Sequence, residues 1–75
     1  MKGEDNNMAI LEFTVEEINL IAIYKANTIE ATIDKIIAAF PYMQTEIQEI
    51  AATAARRLRK MTEEEFAITE FIPAV

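Results

Sequence analysis

Between Phe13 and Lys25 the chain reads FTVEEINLIAIYK, and this stretch limits the fold more than any other because it joins a complete helix-start signal to the densest apolar run. Thr14 is placed to cap the helix, Glu17 three residues on to close a capping box, and Phe13 to staple onto Ile18. Glu16 and Glu17 complement the positive end of the helix dipole. Beyond this opening, Ile18, Leu20, Ile21, Ala22, Ile23 and Tyr24 leave almost no polar side, the pattern of a helix contacted by neighbours on several faces. An all-helical chain arranged around this segment is the expectation.

Where this helix stops is a choice between two readings. Ile18, Ala22, Ile29, Ile33, Ile36 and Phe40 fall on one helical stripe interrupted by Lys25, which favours a single long helix. A helix from Thr14 to Phe40 would be about 40 Å long at 1.5 Å per residue, whereas a compact chain of this length has a radius of gyration of roughly 11 Å. So short a chain could not wrap such a rod. Asn27 and Thr28 are poor helix-interior residues but serve well as a stop followed by an N-cap, so the break is placed there.

The second helix is then expected from about Ile29 to Phe40, with Ile29, Ile33, Ile36, Ile37 and Phe40 inward and Glu30, Asp34 and Lys35 outward. Pro41 biases Phe40 away from helical geometry and ends it. Thr45 and Gln48 have the spacing of another capping box, opening a third helix to about Lys60 with Ile47, Ile50, Ala51, Ala54, Leu58 and Met61 on one face. Its alanines permit close approach by a neighbour. Thr62 and Glu65 repeat the capping grammar, with Met61 stapled to Phe66, and predict a short fourth helix followed by an extended tail through Phe71 and Ile72. The expected architecture is an all-α, compact three-helix bundle with a short fourth C-terminal helix. Residues 1–12 read as a flexible lead-in, with Met8 to Glu12 apolar enough to pack back, residues 13–72 as the helical domain, and 73–75 as a tail.

Composition narrows the chemistry. In 75 residues there is no His, no Cys and no Ser, which removes the usual general base, nucleophiles and transition-metal ligands as well as any disulfide. The single glycine, Gly3, allows no phosphate-binding loop. The remaining acid-base candidates, Glu16 with Glu17 and Glu63 to Glu65, lie in first helical turns where capping and the dipole explain them. No enzyme activity, cofactor or metal is expected. A hydrophobic share of 52% against 27% charged separates the chain from disordered sequences, and a domain this small has only about 3 to 5 kcal/mol of net stability from one core. The longest apolar run, Leu20 to Tyr24, is far short of the roughly 20 residues of a membrane span. The N-terminus lacks a signal-peptide layout, so a cytoplasmic, non-membrane protein is expected.

One charge cluster stands apart. Arg56, Arg57, Arg59 and Lys60 supply four of the seven basic residues, and at 100° per residue they occupy the face opposite Ala54, Leu58 and Met61. Cations in a last helical turn complement the dipole and pair loosely with nearby acids such as Glu63 and Glu64. They also form the candidate partner-binding surface, for an acidic protein or a phosphate backbone. No aromatic residue is interleaved, so stacking on single strands has no support, and the net charge of −6 opposes sequence-independent nucleic-acid binding. Tyr24, Phe40, Tyr42, Met43, Met61 and Phe66 could line a small pocket, but core packing explains their spacing better.

The string FTVEEINLIAIY, then Ile33 with Ile36, Phe40-Pro41-Tyr42, and Arg57-Leu58 through MTEEEF resembles the transposon-transfer assisting protein family, over about Phe13 to Phe71. The resemblance implies about three helices, a bacterial cytoplasmic setting and an accessory role in transfer of conjugative elements, mainly of Firmicutes. It carries over no catalytic or binding residues. The resulting expectation is a non-enzymatic accessory protein acting through contacts with another protein of the mobile element, as a monomer or weak homodimer. The alternative is a small DNA-binding regulator using Arg56, Arg57, Arg59 and Lys60.

Overall fold

The computed structural model describes residues 13–72; the expected lead-in at 1–12 and tail at 73–75 lie outside the described residues. Four helices follow one another: α1 Val15–Tyr24, α2 Ile29–Ala39, α3 Thr45–Leu58 and α4 Glu63–Ile68, with a single 3-10 turn at Phe40–Tyr42 between α2 and α3. Helices α1, α2 and α3 pack against one another, α1 most extensively along α3, and no strand occurs among the described residues. This is the expected three-helix bundle with a short fourth helix.

Helix α1 starts as its local sequence dictates. Thr14 is extended, its hydroxyl accepts the Glu17 N–H at 3.1 Å, and the Glu17 carboxylate accepts the Thr14 N–H at 3.1 Å. Leu20 and Ile21 enter the core, with Ile18, Ala22 and Tyr24 partly buried against it. The expectation of neighbours on several faces is met in part: α2 and α3 both pack on α1, but Val15 is 58% and Ile23 73% exposed. Two long helices and one short one cannot surround a third, so a full face of α1 stays open.

The break between α1 and α2 occurs, but α1 stops at Tyr24, with Lys25 already extended, rather than reaching Asn27. Thr28 caps α2 by accepting the Ala31 N–H at 3.1 Å. The turn is clipped from within by Thr32, which is fully buried. Its hydroxyl donates to the Thr28 carbonyl at 2.8 Å and accepts the Ala26 N–H at 2.9 Å. A second clip comes from far along the chain. The Ile29 N–H, one of the donors left over at a helix start, points at both carboxylate oxygens of Glu63, 3.2 and 3.1 Å away. Beside it, Lys25 lies 4.9 Å above the Phe66 ring.

In α2 the buried set is Ile29, Thr32, Ile33 and Ile36, whereas Ile37, expected inward, is 53% exposed. Together Ile29, Thr32, Ile33 and Ile36 centre the buried face roughly 90° away from Ile37. The helix end also differs in detail. Phe40 keeps helical dihedrals (φ −53°, ψ −46°) and leads into the 3-10 turn with Pro41, so the helix tightens before it terminates.

Helix α3 begins one residue earlier than expected for a Thr45 cap. Gln44 stands at the N-cap without a side-chain bond, Thr45 is the first helical residue, and the Thr45–Gln48 capping box does not form. Gln48 instead donates its amide to the Phe40 carbonyl at 2.9 Å, tying α3 to the end of α2. Ala51, Ala54, Ala55 and Leu58 are buried, Ile50 is partly so, and Ile47 is 38% exposed. The small alanine surface explains how α1 and α3 pack so closely.

Helix α3 ends at Leu58, two residues short of the expectation, and a turn through Arg59 and Lys60 leads to the buried Met61. Thr62 and Glu65 form their capping box, each bond 3.0 Å. Phe66 is buried, and the following extended segment brings Phe71 back over the bundle. Its ring meets Phe13 edge-on at 5.6 Å and lies 5.8 Å from Phe66, so the first and last described core residues close on each other.

Two outcomes are expected in urea titrations. Removing Phe71 from an edge site that can partly relax, as Phe71→Ala, lowers stability by about 3 kcal/mol. Glu63→Ala costs about 1 kcal/mol more than Glu64→Ala. Both changes remove the same first-turn charge from α4, but only Glu63 caps α2. Equal losses at positions 63 and 64 would show that the bond to Ile29 contributes nothing.

Candidate interaction surface

Of the first-turn carboxylates, Glu17 and Glu65 are engaged in capping boxes at their own helix starts, and Glu63 caps a different helix from its own, α2. Among the described residues no group of three or more His, Cys, Asp or Glu is arranged to hold a metal ion, and no buried side-chain nitrogen or oxygen lacks a hydrogen-bond partner. The surface around the second half of α3 therefore carries the distinctive chemistry.

The four candidate cations do not share one face. Arg56 is exposed on α3, and Arg59 and Lys60 are exposed in the turn after the helix ends. Arg57 turns inward: its guanidinium lies 3.6 Å from Glu17, whose side chain is 6% exposed against 34% for Arg57. The helix rotation that seats Leu58 and Ala54 in the core brings Arg57 to the flank next to α1, where the buried Glu17 needs a counter-charge. The same carboxylate thus closes the α1 capping box and holds α3 against α1.

Arg59 borders two depressions. One lies between α2 and α3 and is lined by Ile36, Ile37, Phe40, Ala52 and Ala55 among others; the second includes Ile33, Asp34, Met61 and Glu63. The pocket-lining set considered from sequence is dispersed. Met61 and Phe66 are core residues, Tyr24, Phe40 and Met43 are partly buried, and Tyr42 is 89% exposed. Exposed Ile37 and Tyr42 were missed as surface residues because apolar spacing alone assigns both to the interior. The nearest sequence signal was Pro41, which forces the chain to turn where Tyr42 projects.

These features define a small helical-bundle protein in which apolar and basic side chains are exposed together along α2 and α3, and in which no described helix is long and apolar enough to cross a membrane. The model of the family described as "Putative transposon-transfer assisting protein" matches residues 13–73, and the chain belongs to that family. No curated protein and no solved structure matches it.

The inward turn of Arg57 is measurable by a double-mutant cycle on Glu17→Gln and Arg57→Gln. Solvent reaches Arg57, so the expected coupling is on the order of 1 kcal/mol, well below that of a fully buried pair. Charge reversal at Arg56 or Lys60 is expected to change folding stability by no more than about 0.5 kcal/mol. A zero coupling between Glu17 and Arg57 would return Arg57 to the free surface.

Proposed function

We propose that this protein is a non-enzymatic accessory factor in the transfer of a conjugative mobile element, acting in the bacterial cytoplasm through contacts with another protein of that element. The observation that carries this reading is the family match over residues 13–73. The surface supports the mode of action. Ile37 exposes apolar area in the groove that Arg59 also lines, and Tyr42 is exposed ahead of the start of α3; aromatic residues and arginine are enriched at protein interfaces. The absence of His, Cys and Ser from the chain supports a role without covalent or general-base chemistry.

A second reading, binding to DNA, rests on the exposure of Arg56, Arg59 and Lys60 close together at the end of α3. It is weakened by the engagement of Arg57 with Glu17 and by the net charge of −6, since phosphate binding depends on several cations acting together.

Affinity capture with crosslinking, from cells carrying the element and with nuclease added to half the samples, separates the two readings. Recovery of a protein encoded by the element, unchanged by nuclease and reduced by Tyr42→Ala with Ile37→Ala, is the expected result. Recovery that vanishes with nuclease, or with charge reversal of Arg56, Arg59 and Lys60 only, would transfer the assignment to nucleic acid.

A further inference from the structure

We infer that the groove between α2 and α3 is a self-association surface that seats a second copy of this chain, with the two α3 helices antiparallel about Ala52. It shares Ile37 and Arg56 with the surface considered above for a different partner, and sedimentation of the purified chain reads self-association alone. The groove, about 450 Å³, is largely apolar along Ile36, Ile37, Phe40 and Ala55, and Arg59 stands at its rim. Ile37 is 53% exposed, and Ala52 is exposed at the centre of the outward stripe of α3, where its small side chain lets another helix come close.

The choice of a second copy rests on the charges flanking Ala52. Glu49 precedes it by three positions and Arg56 follows it by four, and both are exposed. At 100° and 1.5 Å per residue, both lie on the same flank, about 60° and 40° around the helix from Ala52, and about 4.5 Å below and 6 Å above it. A two-fold axis at Ala52 reverses the heights and keeps the flank. Glu49 of each copy then faces Arg56 of the other, forming two identical ion pairs, and Ala52 meets its own equivalent. On the opposite flank the α2 helices come together and cover Ile37. The pattern is self-complementary within one helix. Each copy carries a net charge of −6, so undirected pairing is disfavoured and the attraction depends on this local match. The groove between α1 and α3 has no such pattern. Its lining of Leu20, Ile23, Ile47 and Ile50 is edged by Glu16 and Asn19, and no cation is among its lining residues.

Sedimentation equilibrium of the full chain from low to high micromolar concentration tests the inference. The mass should rise from 8.5 kDa toward twice that value. Arg56→Glu and Glu49→Arg should each weaken dimerisation at least about tenfold, because each turns both ion pairs into like-charge contacts, and the combined exchange should restore it to within about threefold. Ala52→Glu, which sets a charge against its own copy on the axis, should weaken it equally and serves as the readout if a reversal unfolds the chain, as followed by circular dichroism. A monomer throughout the range would overturn the inference. So would a dimer insensitive to the single reversals and to Ala52→Glu, or one that the combined exchange fails to rescue.

Discussion

Burial of one apolar cluster drawn from all four helices is the constraint on which their arrangement depends, and the bond from the Ile29 N–H to the Glu63 carboxylate fixes one end of it. A helix of modest length begins with N–H groups that need partners, and α2 begins directly after a turn that must reverse the chain. Thr28 serves part of that need locally by accepting the Ala31 N–H, while Thr32 ties the preceding turn by accepting the Ala26 N–H. Glu63 accepts the Ile29 N–H from the opposite end of the domain, and it can do so only if α3 has run its full length and the turn at Arg59 and Lys60 has delivered α4 beside the start of α2. The contact of Lys25 with Phe66 and the closure of Phe71 on Phe13 and Phe66 reinforce the same junction. In so small a domain these contacts at one end add to the packing of α1, α2 and α3 on one another.

A second carboxylate, Glu17, organises the other contact between α1 and α3. Its double role, closing a local capping box and facing Arg57, divides the basic segment of α3 into an inward member and three outward ones. The candidate surface is therefore less cationic than four adjacent basic residues suggest, and more apolar, since Ile37 and Tyr42 lie outside the core.

Most of the helical framework was legible in the sequence. Thr14 with Glu17 and Thr62 with Glu65 identify helix starts that the structure reproduces bond for bond, and Thr28 marks the start of α2. The errors cluster where a residue had two uses. Gln48 has the spacing of a capping partner, yet its amide bonds Phe40, because α3 begins at Thr45 and offers no cap there. Thr32 reads as an ordinary helical threonine until its hydroxyl is seen to bridge Thr28 and Ala26. It lies on the inner face with Ile29, Ile33 and Ile36, and Ile37 falls on the flank of that face. The candidate surface was legible only as a run of basic residues, since the position of each cation depends on which flank meets α1.

The sequence by itself determined that this chain is helical, where most of its helices begin, and that it contains no His, Cys or Ser. Capping involves residues only three positions apart, and composition involves no geometry at all, so neither needs the rest of the molecule. Only the tertiary structure decided which isoleucines are buried, that Arg57 faces Glu17, and that Glu63 caps a helix start 34 residues away. Those outcomes depend on how far each helix rotates about its own axis when packed. A rotation of a quarter turn costs nothing in helical hydrogen bonds and is set only by what the neighbouring helices offer.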